Sequence, residues 1–228
     1  MNAKFFLKRG HDFSVIKDLE IIGAGKRNVD CLKCGSSDRD RLIVAYFEKE
    51  YLKSDLANKQ LLHVAPEKAL SEYFQNKCNM MVTAADAKIG YAQFLYGSKV
   101  IKADLCELPF QSNAFDFVIA NHVLEHVPDA QKAISEIQRV LKPNGIAITQ
   151  VPLSQKIKNT IESLPNWGIK EKKKQLGQAD HQRLFGNDFE SLLEQSGLRP
   201  DFWHHPISAD MKQLGLNPKE ALLKSIKL

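Results

Sequence analysis

Phe115-Asp116-Phe117-Val118-Ile119-Ala120-Asn121-His122-Val123-Leu124-Glu125-His126-Val127-Pro128-Asp129 decides how the rest of the chain is read. The apolar run from Phe115 to Ala120 is short and needs cover on both faces, as a central parallel strand does. An amide, two imidazoles and a carboxylate follow it, at what reads as the start of a helical segment. In open α/β sheets ligands sit beyond the carboxyl ends of the strands, so chemistry is expected at this turn.

Working outward, short apolar runs alternate with helical patterns. Residues 61–64, 80–85 and 100–102 read as three strands before the run at 115–120, and residues 146–151 as a fifth. Residues 68–75 form a helix between the first two, with Ala69, Leu70 and Phe74 apolar. The clearest helix precedes the fifth strand. Asp129 caps it, and Ala130, Ala133, Ile134, Ile137, Val140 and Leu141 make one buried stripe. Pro143-Asn144-Gly145 stops it. A further helix runs over 188–195, capped by Asn187 or Asp188 and ended by Gly197. The alternation implies an α/β, doubly wound parallel sheet with right-handed crossovers. Residues 199–204 and 221–227 can supply two more strands.

The first part of the chain departs from this order. A helix is expected over 38–53, with Leu42, Ile43, Ala45, Tyr46 and Phe47 inside it, behind an irregular segment holding Cys31-Leu32-Lys33-Cys34-Gly35. Residues 1–57 are read as an N-terminal helical extension packed on a main domain of residues 58–228. The lysine-rich patch at 170–174 is read as a solvated loop.

Composition bounds the possibilities. With 43% hydrophobic and 26% charged residues in 228, an ordinary soluble core is expected. No apolar stretch approaches a membrane span, and Phe5-Phe6-Leu7 is too short for a signal-peptide core, so a cytoplasmic protein with no membrane partner is expected. Four cysteines, two of them isolated, make no disulfide framework. A charge of +5 permits an anionic partner without requiring one.

The opening stretch resembles the fourth-strand segment of class I S-adenosylmethionine (SAM) dependent methyltransferases, where "FDxVxxxxVLEHVPD" recurs. The resemblance covers residues 58–228. A bacterial subset is closer, with "LLHVAPE", "NHVLEHVPD" and "DHxRxxG" in the same order. It implies a seven-stranded Rossmann-like methyltransferase sheet whose last strand lies antiparallel between the fifth and sixth. It also implies SAM as cofactor. The first motif, normally an acid followed by G-x-G-x-G, stands here as His63, Ala65, Pro66 and Glu67, with Ala65, Glu67 and Ala69 in place of glycines. That is a substantial departure, because those glycines let the backbone approach the cofactor.

Asp86 follows the second strand, where a carboxylate can accept both ribose hydroxyls; a turn or cap role is the plain alternative. Asp104 and Leu105 stand in a segment resembling "DxxxLPF", whose Asp and next backbone amide take the adenine in the family; a surface turn is the alternative. Asn121 completes the expected cofactor contacts. Ile21-Ile22-Gly23-Ala24-Gly25 imitates a dinucleotide fingerprint, but Asn28 and Asp30-Cys31 follow where glycine and a long helix belong, so no nicotinamide cofactor is expected.

Methyl transfer from a sulfonium needs alignment, and a base only if the acceptor must lose a proton. His122, Glu125, His126 and His181 are the candidates, with His122 and His181 taken as catalytic. His122, Glu125 and His126 would share a face of a helix, and His181 sits in a loop that in the family closes over the acceptor. The set is similar to the metal ligands of certain class I O-methyltransferases. Because the "LEHVPD" phrase is common in members without metal, none is expected. Cys31-x-x-Cys34-Gly35 is half of a zinc ribbon, and relatives can carry the other half upstream; His11 or a second chain could complete it, but a metal-free remnant is expected. Cys78 and Cys106 read as core thiols.

The expected function is SAM-dependent O- or N-methylation of a small-molecule or sugar-like acceptor. The rivals are an RNA methyltransferase, with Lys4, Lys8, Arg9 and the 170–174 lysines tracking phosphate, and a non-catalytic protein of the same fold.

Overall fold

The computed structural model describes residues 13–23, 30–88, 100–206, 214–216 and 220–228. The first elements there are α1 (Phe13–Asp18), β1 (Ile21–Ile22), α2 (Asp38–Glu50), α3 (Lys53–Leu56), β2 (Gln60–Val64), α4 (Lys68–Asn76), β3 (Met81–Asp86), β4 (Ile101–Lys102) and β5 (Phe115–Ala120). They are followed by α5 (Ala130–Val140), β6 (Leu141–Ile148), β7 (Leu153–Ser154), β8 (Ile161–Glu162), α6 (Ile169–Leu176), β9 (Arg183–Leu184), α7 (Phe189–Gln195), β10 (Leu198–Trp203) and β11 (Leu222–Lys227). Lys4, Lys8, Arg9, His11, Ala24, Gly25 and Asn28 lie outside the described residues.

Seven strands pair in the order β10-β11-β6-β5-β2-β3-β4. The five from β6 to β4 run parallel, and β11 lies antiparallel to both β6 and β10. This is the expected α/β architecture, including the reversed final strand. The sheet is covered on both faces. Val118 and Ala120 of β5 pack in one core with Ala133, Ile134 and Ile137 of α5 and Phe189 and Leu193 of α7. Phe117 and Ile119, alternating to the other side, pack with Leu42, Ile43 and Phe47 of α2 and Leu70 and Phe74 of α4. The Phe47 and Phe117 rings meet edge-on at 5.2 Å. Helix α2, from the N-terminal segment, therefore shares the sheet's own core. It opens with a capping box, Ser37 and Asp40 each bonding the other's backbone N–H.

Three sequence expectations are corrected. Helix α5 ends at Val140, not Leu141, and the following strand starts at Leu141 instead of 146. Pro143 disfavours a helical Lys142 and cannot donate into the helix, so the chain turns extended at Leu141. Pro143-Asn144-Gly145 then forms an irregularity inside the β5–β6 ladder, between the Phe115–Leu141 and Phe117–Ile146 pairs. A Cβ at Gly145 would stand 2.8 Å from the Lys142 carbonyl oxygen, which is why glycine is needed there. The lysine patch is not a loop: it forms α6, stopped by Gly177 at φ +78 with Leu176 buried beneath. The helix expected over 38–53 stops at Glu50, where Tyr51 turns extended, and α3 follows as a separate turn.

Ile21 and Ile22 pair antiparallel with β7, outside the main sheet, in keeping with the rejected fingerprint. Cys78 and Cys106 are buried. The Cys31–Cys34 turn is closed by Gly35 at φ +71, and backbone N–H groups of Cys34 and Lys33 hold the Cys31 thiol below its usual range. Among the described residues no helix is long and apolar enough to cross a membrane.

Candidate active site

The parallel strands place their carboxyl ends side by side, with Val64 opposite Ala120 and Ala85 next to Ile101. After β2 the chain turns through Ala65 at φ +48, a left-handed conformation that costs an L-residue about 1 kcal/mol. Glu67 then caps α4 and reaches across the sheet. One carboxylate oxygen lies 2.7 Å from His63 Nε2, and the other accepts from Asn121 Nδ2 at 2.9 Å. His63 is fully buried, and its Nδ1 lies 3.0 Å from the Ser71 hydroxyl. Both ring nitrogens of His63 are thus engaged within the protein, and its link to the turn after β5 runs through Glu67. Pro66 is buried and Ala65 exposed. Nearby on α2, burial pushes the Asp40 carboxyl up to about 6, and the Glu67 carboxylate adds to the effect.

Asp86 and Asp104 stand at the ends of adjacent strands β3 and β4. The backbone N–H of Lys88 donates to Asp86 Oδ1 at 2.7 Å, and that of Cys106 to Asp104 Oδ1 at 2.8 Å. The turn role and the ligand role are thus compatible, because the local bond fixes where each carboxylate points. Leu105 is buried beneath Asp104.

The segment from Asn121 to Pro128 is a turn, not the start of a helix. His122 enters it at φ +55, with its N–H on the Gln150 carbonyl at 2.8 Å. Arg183, buried under the turn, holds its shape. Its guanidinium donates to the carbonyls of Leu124 at 2.7 Å, Val127 at 2.6 Å and Pro128 at 3.0 Å. Gln182 N–H adds a bond to the Glu125 carbonyl at 2.7 Å.

This clamp gathers three expected side chains around Glu125 without helical spacing. His122 Nδ1 is 3.3 Å from Glu125 Oε1, and His126 Nε2 is 3.9 Å from it. The His126 and His181 rings meet edge-on at 4.9 Å. His181 Nδ1 is 3.2 Å from the Leu176 carbonyl, which can only accept, so Nδ1 carries the hydrogen and the neutral ring keeps its lone pair on Nε2. Glu125 is 1% exposed. Burial drives its carboxyl up to about 8, Asp180 adds to the rise, and Arg39 and Arg183 offset only part of it.

Thr149 and Gln150 escaped sequence reasoning. Among the described residues, Asn121 Oδ1, Glu125 Oε2, Thr149 Oγ1 and Gln150 Oε1 are buried without a hydrogen-bond partner. Thr149 and Gln150 follow β6; the polar pair closing an apolar run was the available signal. Gly23 was also missed. A Cβ there would meet His122 Cε1 at 3.2 Å, and its N–H donates to Glu220 Oε1 at 2.9 Å. Gly23, just after β1, therefore packs against His122, and Glu220 holds it there.

Comparison with known proteins agrees with this architecture. Residues 71–149 match the family model described as a methyltransferase domain. Over 50 residues the chain is 44% identical to a demethylmenaquinone methyltransferase of Staphylococcus aureus, a match spanning 22% of this chain and only 21% of that relative's length. A Bacillus halodurans crystal structure, of a candidate methyltransferase, aligns over 82% of this chain and 98% of its own at 18% identity, TM-score 0.51. Phosphoethanolamine N-methyltransferase 2 of Haemonchus contortus, in complex with phosphomonomethylethanolamine and S-adenosylhomocysteine, aligns over 87% of this chain and 54% of its own at 13% identity, TM-score 0.53. The fold is shared with these methyltransferase structures, and residues 71–149 match the methyltransferase domain model.

Proposed function

We propose that the protein is a SAM-dependent methyltransferase acting on a small-molecule or sugar-like acceptor, by O- or N-methylation. The observation that carries this reading is the group of buried, unpartnered polar atoms on Asn121, Glu125, Thr149 and Gln150, beyond the carboxyl ends of β5 and β6. Each unmade bond costs about 1–3 kcal/mol, an expense a fold tolerates where a polar ligand completes it.

The residues present suit SAM at its nucleoside end. Asp86 would accept the ribose hydroxyls, and Asp104 with the Leu105 N–H would take the adenine. At the amino-acid end, Glu67 and Asn121 present a carboxylate and an amide where the resemblance has glycines, a surface suited to an ammonium group. When bound, SAM supplies an electrophilic methyl group on a sulfonium. The chain's part is alignment and proton removal. His181, with its lone pair on Nε2, and His122, beside Glu125, are the bases in reach of such an acceptor.

Calorimetric titration with SAM and with S-adenosylhomocysteine tests the reading. Micromolar binding, weakened in Asp86→Ala and Asp104→Ala variants, supports it. A folded sample that binds neither at millimolar concentration overturns it in favour of a non-catalytic protein, a reading that the missing glycines of the first motif favour. RNA binding with a steep salt dependence would instead move the acceptor to nucleic acid.

A further inference from the structure

Glu125, His126 and His181 form a cluster whose ligand-capable atoms all lie within 4.8 Å of one another. Two of the three are buried, and Glu125 carries an oxygen, Oε2, that is buried and without a partner among the described residues. The imidazoles are arranged in the manner of metal ligands. Each has Nδ1 on a backbone carbonyl, His126 at 3.3 Å from Asp180 and His181 at 3.2 Å from Leu176. That bond fixes the tautomer and the ring plane and leaves the Nε2 lone pair as the donor. The cluster is also rigidly mounted, since Arg183 and Gln182 fix the main chain that carries Glu125 and His126.

We propose that Glu125, His126 and His181 bind a first-row divalent cation. A carboxylate and two imidazoles suit zinc or iron(II) better than magnesium or calcium, which take oxygen ligands. Metal–ligand bonds of about 2.0–2.2 Å bring ligand atoms roughly 3–4 Å apart, so small side-chain rotations close the cluster on an ion. His122 is not in this set. With Nδ1 3.3 Å from Glu125 Oε1, it orients the carboxylate. This ligand set departs from the absence of metal expected from sequence. Three protein ligands leave a coordination position open, as catalytic sites do and structural zinc sites do not. The proposal concerns binding alone and stands whether or not the protein transfers methyl groups; with an ion on its Nε2, His181 has no lone pair left for a proton, and His122 is the base that remains.

The test uses the full chain, stripped with chelator, with Cys31→Ser and Cys34→Ser removing the competing thiols. Zinc is titrated against a chromophoric chelator, with no SAM present. The expected result is one equivalent bound per chain, and at least about a tenfold loss of affinity in His126→Ala. His126 is partly exposed, so that variant should fold; its melting curve checks this. Ring nitrogen NMR signals, recorded with all three ligands intact, keep the test open if it does not: zinc should shift His126 and His181 and leave exposed His204 unmoved. Binding of less than about half an equivalent, unchanged affinity in folded His126→Ala, or unmoved His126 and His181 signals would each overturn the site.

Discussion

Glu67 and Asn121 join the turns after β2 and β5 by a 2.9 Å hydrogen bond, and the second carboxylate oxygen of Glu67 extends the link to buried His63 at 2.7 Å. The turns after the first and fourth parallel strands in chain order are thereby tied to each other. In a glycine-rich version of the same turn, no side chain could make that link.

Breaking the link should be felt in both stability and binding. Asn121→Ala removes one bond, at a cost of about 1 kcal/mol, and frees the Glu67 carboxylate. The expected outcome is a small drop in melting temperature with a several-fold weaker affinity for SAM, read by calorimetry. Unchanged SAM affinity would mean that the pair is structural only.

The clamp under the turn should matter more. Arg183→Ala leaves the Leu124, Val127 and Pro128 carbonyls without their donor in a buried place. A loss of about 3 kcal/mol or more is expected, measured by denaturant unfolding. Arg183→Lys should recover little of it, because one ammonium cannot reproduce the planar fork.

Asp40 gives a pH dependence with a definite sign. Its carboxyl is raised from 3.8 to about 6 in the folded state, chiefly by burial and then by Glu67. A raised acid stabilises the fold fully below its unfolded pKa, and that contribution is lost as pH rises through about 6. A shift of this size corresponds to about 3 kcal/mol. Asp40→Asn keeps an acceptor for the Ser37 N–H and should lack this decline between pH 4 and 7. Parallel stability curves for the two proteins would refute the assignment.

His122→Ala should separate chemistry from binding. If His122 serves as the base, turnover falls by about 10²–10⁴ while SAM affinity stays within a few-fold. The same substitution at His181 decides between the two imidazoles. Equal turnover in a variant removes that residue from the reaction.

Much of this was legible along the chain. The strands announced themselves because each is a short apolar run covered on both faces, and α5 because its stripe repeats at helical spacing. That Asn121, His122, Glu125 and His126 lie in the turn beyond β5 followed from reading 115–120 as a strand. The misreadings have physical causes. Pro143 and Gly145 read as the stop of a helix but form an irregularity inside a ladder, and the lysines of α6 hide a helix whose only fully buried side chain is Leu176. The ties of His63 to Glu67 and Ser71 were hidden as well, because they exist only after folding. The role of Arg183 was equally hidden, since its partners lie 55 to 59 residues away. Thr149 and Gln150 were legible as a polar pair closing an apolar run and were passed over.

The hydrogen bond from Gly23 to Glu220 spans 197 residues. Contacts that distant are costly to close and form late. A ribosome must release almost the whole of this stretch before Gly23, which packs against His122, gains this bond. Strand β11 lies between β6 and β10 and puts Leu223 in one core and Leu222 in the other, so the sheet and the site wait for the same strand. Slow release of that strand should therefore delay activity and folding of the core together.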